Sequence, residues 1–190
     1  GWFKLDPTSP DWVAVWEIHD NSSSVRILKN GSNKTLYYGK LHSGTYTAQT
    51  TTTEVFNNTW FNLVMTIDTS GNATLYINNV AETVLSGITL INTFATLNIS
   101  QSSSYTTRKF KGYLDDFRIY DRVLSAAEVE KLYNHNNNYQ YLTKIYKIFN
   151  SYGTKITDGL IAHYKFDEVY QTNKFKDETA NAYHLEYASG

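Results

Sequence analysis

The stretch from Trp60 to Asn78 constrains this chain more than any other. Phe61, Leu63, Met65 and Ile67 recur at a period of two, Asp68-Thr69-Ser70-Gly71-Asn72 supplies turn residues, and Leu75 and Ile77 resume the alternation. Period-two apolarity puts every second side chain on one face of a pleated strand. Two such runs joined by Asp, Gly and Asn read as an antiparallel hairpin with one buried face.

The same signature recurs along the chain. Trp12, Ala14, Trp16 and Ile18 share parity on a strand over 11–18, and Asn21-Ser22-Ser23-Ser24 turns the chain. Val25 and Ile27 begin the next strand, closed by Asn30-Gly31. Further strands are expected over 36–41 and 46–53, the latter exposed, then over 82–85, 88–91, 95–100 and 112–120. The polar bulk is 23 Thr, 18 Asn and 15 Ser rather than Lys and Glu. Thr and Tyr suit half-buried strands while Asn, Ser and Gly suit turns, so the composition also points to an all-β domain.

One helix is signalled. Ser125-Ala126-Ala127-Glu128 is a capping box, and Val129, Leu132 and Tyr133 then share a face. That helix is expected to end near Asn134, with His135 to Asn138 as a linker. Residues 141–152 fit an amphipathic helix, through Leu142, Ile145, Phe149 and Tyr152, or a strand. Leu160 to Phe166 reads as a strand followed by an acidic turn.

Charge and length exclude several classes. The 17 Lys and Arg balance 18 Asp and Glu to a net charge of -1, which argues against bulk-charge binding to nucleic acid or anionic lipid. No run approaches the length of a transmembrane helix, so membrane insertion is not expected. The absence of cysteine removes disulfides, thiolate zinc sites and thiol nucleophiles together. At 190 residues one core is expected, with part of a second. The opening Gly1-Trp2-Phe3-Lys4-Leu5 has neither an initiator Met nor a signal-peptide pattern, as expected of a piece of a longer chain.

Three stretches carry a family resemblance. They are WFNLVMTIDTSGNATLYINNV from Trp60 to Val80, GYLDDFRIYDRVLSAAEVEKLY from Gly112 to Tyr133, and GLIAHYKFDE from Gly159 to Glu168 with DETANAYHLE from Asp177. Together they resemble the concanavalin A-like lectin/glucanase superfamily, in particular its laminin-G-like (LamG) jelly-roll domains. The second stretch is the most specific. The resemblance implies an all-β antiparallel β-sandwich, a jelly roll with one short C-terminal helix.

In that family a segment like the third opens a domain, whereas here it comes after the closing helix. GWFKLDP in turn resembles an internal strand. Residues 1–134 therefore resemble a LamG domain lacking its first strands, 135–157 a linker, and 158–190 the first strands of a second LamG-like domain. A tandem array is the preferred expectation. The alternative is that 158–190 is the permuted completion of the first domain, but the combined pieces lack one usual strand. Pairing of the tail with residues 1–134 would favour permutation.

Asp115 shares parity with Phe117 and Ile119 and is expected to point inward, where a carboxylate must be paired or hold a metal. Two readings stand: acceptance of backbone amides or Arg122, or a structural Ca2+ site of Asp115, Asp167 and Asp177. Ca2+ sites occur in domains that this chain resembles. Asp116, Arg118 and Tyr120 fall on the other face. Trp2, Trp12, Trp16 and Trp60 are expected in the core. Sugar binding uses exposed aromatic platforms, for which Tyr37, Tyr38, Tyr46 and Tyr105 are the candidates, with 101–107 as a rim loop. Six glycosylation sequons, at Asn21, Asn30, Asn33, Asn57, Asn72 and Asn98, fall in the first hundred residues.

Catalysis is not expected. The glucanases of the superfamily resemble each other in a Glu-x-Asp-x-x-Glu strand, and this sequence has none, so the carboxyl pair of glycoside hydrolysis is missing. His19, His42, His135, His163 and His184 are scattered and none adjoins a Gly-x-Ser-x-Gly elbow. The resemblance implies a non-catalytic carbohydrate-binding or adhesion module of an extracellular, cell-surface or virion-surface protein, with a glycan or neighbouring LamG-type domains as partners. The alternatives are a structural repeat that assembles into a filament or fibre by homo-assembly, without a sugar site, and a hydrolase accessory domain.

Overall fold

The structure, a computed structural model, describes residues 1–19, 23–42, 44–88, 96–101, 108–142, 158–166, 169–171, 174–183 and 185–186. Residues 2–113 form one compact unit, and Gly1 with residues 114–190 another.

The first unit holds two antiparallel sheets. One contains β2 (Ala14–His19), β3 (Ser23–Lys29), β4 (Leu36–His42), β5 (Thr45–Thr50) and β9 (Thr96–Ile99), in the order β5-β4-β3-β2-β9. The other contains β1 (Trp2–Leu5), β6 (Trp60–Ile67), β7 (Ala73–Ile77), β8 (Val80–Ala81) and β10 (Gly112–Asp115), in the order β10-β1-β6-β7-β8. Gly112 and Tyr113 of β10 belong to this unit.

Period-two patterning builds the core. Phe3, Leu5, Phe61, Leu63, Leu75 and Ile77 are buried from the second sheet, and Val25, Ile27, Leu36 and Tyr38 from the first. Each such side chain contributes about 1.5–3 kcal/mol through loss of apolar surface to water. The Tyr38 hydroxyl donates to the Thr83 carbonyl, so the face of β4 that carries Tyr38 is the core face. Lys29 is also buried. Its ammonium donates to the carbonyls of Ser9 (2.6 Å) and Pro7 (3.3 Å) and lies 5.5 Å from the Phe56 ring centroid.

The Trp60–Asn78 hairpin forms as its pattern requires, with Leu63 opposite Ile77 and Ile67 opposite Ala73. One Asp68 oxygen accepts the amides of Ser70 (2.9 Å) and Asn72 (2.8 Å), which closes the turn. Gly71 has φ 78°, and a Cβ there would come within 2.2 Å of the Ile88 carbonyl.

Three expectations are corrected here. A bulge between Ala14 and Trp16 puts those residues on opposite faces, so the run Trp12 to Ile18 is not one continuous stripe. Trp12 precedes the strand at φ 58° and is 39% exposed, and Trp60 is exposed to the same extent, so neither is core. The strand expected over 82–85 is reduced to an isolated bridge from Leu85 to Ala73.

In the second unit β11 (Phe117–Tyr120) pairs antiparallel with β12 (Leu160–Tyr164), with Arg118 opposite His163. β13 (Val169–Gln171), β14 (Lys174–Phe175) and β15 (Leu185–Glu186) form a small antiparallel sheet. The tail strand is thus hydrogen-bonded to residues 117–120. The helix α1 (Ala126–Leu142) begins at the expected capping box: Glu128 N donates to Ser125 Oγ (3.3 Å) and Ser125 N to Glu128 Oε2 (2.9 Å). It runs past Asn134 through His135 to Asn138, because no Gly or Pro stops it, in spite of the poor helix propensity of Asn. Among the described residues no helix is long and apolar enough to cross a membrane.

Candidate functional site

The outward face of β2–β5 carries an unusual polar and aromatic array. Register aligns Asn98, Glu17, Arg26, Gly39 and Ala48 in one transverse row across five strands. Flanking rows bring Thr96, His19, Ser24, Leu41 and Tyr46 together on one side, and Leu28, Tyr37 and Thr50 on the other. All point away from the Tyr38 side, because parity alternates along each strand.

Gly39 organises the array. A Cβ there would lie 2.2 Å from the Thr47 carbonyl and 2.5 Å from the Ala48 Cβ. With no side chain at 39 and only a methyl at 48, the Tyr37 and Tyr46 rings lean over the gap and stack, centroids 5.4 Å apart and planes 13° apart. Arg26, directly opposite Gly39, also crosses it. Its guanidinium lies 4.6 Å from the Tyr46 ring centroid and its Nε donates to the Tyr46 hydroxyl at 3.2 Å. Burial lifts the Tyr46 phenol above its usual range, partly opposed by the Arg26 charge.

At one end the array is dry. Glu17 is fully buried, and Arg26 Nη1 lies 3.8 Å from its Oε1. A buried carboxylate demands such compensation. At the other end it is open. The Trp12 indole meets Tyr37 edge-on, 5.6 Å between centroids at 84°. Trp12 in turn covers Gly31, whose φ of 53° and missing side chain make room for it. His19 and Asn98 pair through Nε2 and Nδ2 at 3.1 Å. The Ser24 hydroxyl is buried in this face without a hydrogen-bond partner among the described residues.

Of the aromatic candidates, Tyr37 and Tyr46 come together here. Tyr38 does not, because adjacent strand residues face opposite ways and its ring is in the core. Tyr105 lies outside the described residues. Trp12, Arg26, Glu17 and Gly39 were missed by sequence reasoning. Strand parity alone could have grouped Arg26 with Glu17 once β2 and β3 were paired.

The carboxylates proposed for Ca2+ are disposed otherwise. Asp115 is exposed, not inward, because Asp116 has φ 53° and breaks the parity between β10 and β11. Asp116 instead is half-buried, accepting from Arg118 Nη2 (2.8 Å) and contacting His163 Nε2 (2.5 Å). Asp177 is buried, but its oxygens accept the amides of His163, Thr179 and Tyr183 and the Thr179 hydroxyl. These are donors, whereas a hard cation takes oxygen lone pairs. Asp167 lies outside the described residues. Among the described residues no group of three metal-ligating side chains occurs. Of the sequon residues, Asn33 and Asn57 are exposed, Asn30, Asn72 and Asn98 half-buried, and Asn21 outside the described residues.

Residues 1–130 match the laminin-G-type model of the concanavalin A-like lectin/glucanases superfamily. The chain belongs to this superfamily. LamG-type domains are typically non-catalytic binding modules. No curated protein matches the chain. Among solved structures it is similar to the receptor-binding domain of botulinum neurotoxin type G, at 20% identity and a TM-score of 0.55. That match covers 71% of this LamG-type chain and 36% of the toxin domain. A second similarity is to an S-layer domain-containing protein of Clostridium thermocellum, at 23% identity and a TM-score of 0.39, over 66% of this chain and 64% of that one.

Proposed function

We propose that residues 2–113 form a non-catalytic carbohydrate-binding module, and that its ligand lies on the outward face of β2–β5 against Trp12 and the Tyr37–Tyr46 stack. The observation that carries this reading is the joined array itself. An exposed indole leads into stacked phenols, which end on a buried, charge-compensated Arg–Glu pair. Apolar sugar faces stack on such rings, and hydroxyl groups take the polar neighbours. The half-buried His19–Asn98 pair adds polar groups to the same face. The lack of a Glu-x-Asp-x-x-Glu strand supports binding without hydrolysis. A relative in fold named for receptor binding is consistent with a place at a cell or virion surface.

Glycan-array screening and then calorimetry test this. Trp12→Ala and Tyr37→Ala are each expected to weaken a glycan hit about tenfold, the scale of a lost aromatic contact of ~1.4 kcal/mol. Silence of the parent chain across neutral and acidic glycans would sink the reading.

A second reading is filament assembly through β5. That strand edges its sheet, and its sequence Thr45-Tyr-Thr-Ala-Gln-Thr50 carries no Lys or Pro to block pairing. Within the domain organisation, we favour residues 158–190 as the pairing partner of β11, supported by the β11–β12 register.

A further inference from the structure

The opposite sheet has a second aromatic feature that the first site does not use. On its outward face three neighbouring strands each contribute one side chain: Tyr113 from β10, Lys4 from β1 and Trp60 from β6. Lys4 is directly opposite Trp60 in register. Its ammonium lies 5.7 Å from the Tyr113 ring centroid. The Trp60 and Tyr113 rings are 6.4 Å apart and tilted at 43°.

This strip is exposed. β10 approaches β1 closely because position 112 is glycine: a Cβ there would meet the Lys4 carbonyl at 2.1 Å. Tyr113 is 64% exposed and Trp60 39%. Charge separates this strip from the first array. Arg26 is compensated by Glu17, whereas among the described residues no carboxylate pairs with Lys4.

We propose that Lys4, Trp60 and Tyr113 form a second carbohydrate contact, selective for sugar acids such as uronates. The exposed ring of Tyr113, with Trp60 beside it, takes the apolar face of a pyranose, and the lysine ammonium takes the carboxylate on its edge. Rings supply affinity regardless of charge, and the ammonium discriminates acidic from neutral sugars. The contact stands independently of the Tyr37–Tyr46 array and carries its own readout.

Calorimetric titration of the full chain with a galacturonate tetrasaccharide and with the matched galactose tetrasaccharide tests it. Tyr113→Ala is expected to weaken galacturonate binding about tenfold. Lys4→Gln should weaken it about threefold to fivefold, abolish its salt dependence and leave galactose binding unchanged. Tyr37→Ala should leave galacturonate binding intact, which separates this contact from the first. Amide and indole NMR shifts at Trp60 on titration provide a readout that does not need a variant. The proposal is overturned if Lys4→Gln binds galacturonate as the parent does. It is equally overturned if Trp60 resonances do not move, or if Tyr113→Ala changes self-association in sedimentation instead of sugar binding.

Discussion

At the scale of single residues, position 39 decides the most. Glycine in a strand interior ordinarily costs about 0.5–1 kcal/mol relative to alanine, so Gly39→Ala would be expected to stabilise β4. Here the sign reverses. The new methyl would sit 2.2 Å from the Thr47 carbonyl and 2.5 Å from the Ala48 Cβ. Overpacking of that kind costs about 1–3 kcal/mol. Gly39→Ala should therefore lower the denaturant midpoint and also disturb the Tyr37–Tyr46 stack in near-ultraviolet circular dichroism. A stabilised variant with unchanged aromatic signal would refute the role given to this glycine. The residue was visible in the sequence only as a glycine inside a strand pattern. Its meaning needed the register that puts Arg26 and Ala48 on either side of it. The same limit applies to Tyr37 and Tyr38. Both looked equally suited to a platform, and only alternation against a known core face separates them.

At the scale of elements, patterns that rest on local chemistry were legible and those that rest on tertiary geometry were not. The β6–β7 hairpin and the Ser125 capping box arise from residues a few positions apart. The bulge at the start of β2 and the positive φ of Asp116 do not, and each reverses strand parity for the residues after it. The Asp177 turn between β14 and β15 reaches back to β12 across 14 residues, and it titrates. Burial alone would raise the Asp177 carboxyl, but the amides of His163, Thr179 and Tyr183 with the Thr179 hydroxyl outweigh it and hold it below its usual 3.8. Burial, reinforced by the Asp177 charge, pushes the Tyr164 phenol up to about 12. A carboxyl depressed by folding stabilises fully above its unfolded value and loses that contribution as pH falls through the lower folded value. A phenol raised by folding stabilises fully below its unfolded value of 10.0 and loses that contribution as pH rises toward about 12. Order around β12 should thus fail at both limits, below pH ~4 and between pH ~10 and ~12. Circular dichroism across pH checks this, with Asp177→Asn expected to remove the acid limb and Tyr164→Phe the alkaline one. Unchanged limbs in these variants would show that other groups control them.

At the scale of the whole molecule, the question is what the tail does for residues 117–120. β11 takes its hydrogen bonds from β12, through Phe117 opposite Tyr164 and Ile119 opposite Ala162. The joint is reinforced at both ends. Asp116 contacts His163 Nε2 at 2.5 Å, and Arg122 Nε donates to the Asp158 carbonyl at 2.9 Å. Asp177 fixes the turn of the tail itself by accepting His163 N at 3.0 Å. A strand left without its neighbour exposes unpaired amides and carbonyls and pairs with whatever edge it meets. If the tail completes this sheet, a chain ending at residue 157 should be less stable by ~2–4 kcal/mol and should self-associate, because several buried backbone groups lose their partners. A synthetic peptide of residues 158–186 should then bind it, restore a monomer and slow hydrogen exchange at the amides of 117–120. The Asp177→Ala peptide should bind more weakly, since three amides lose their shared acceptor. If instead the tail belongs to a separate second domain, the shortened chain will be monomeric and as stable as the parent, and the peptide will not bind. These outcomes differ in oligomeric state, stability and exchange together, so one preparation distinguishes completion of the first domain from the start of a second.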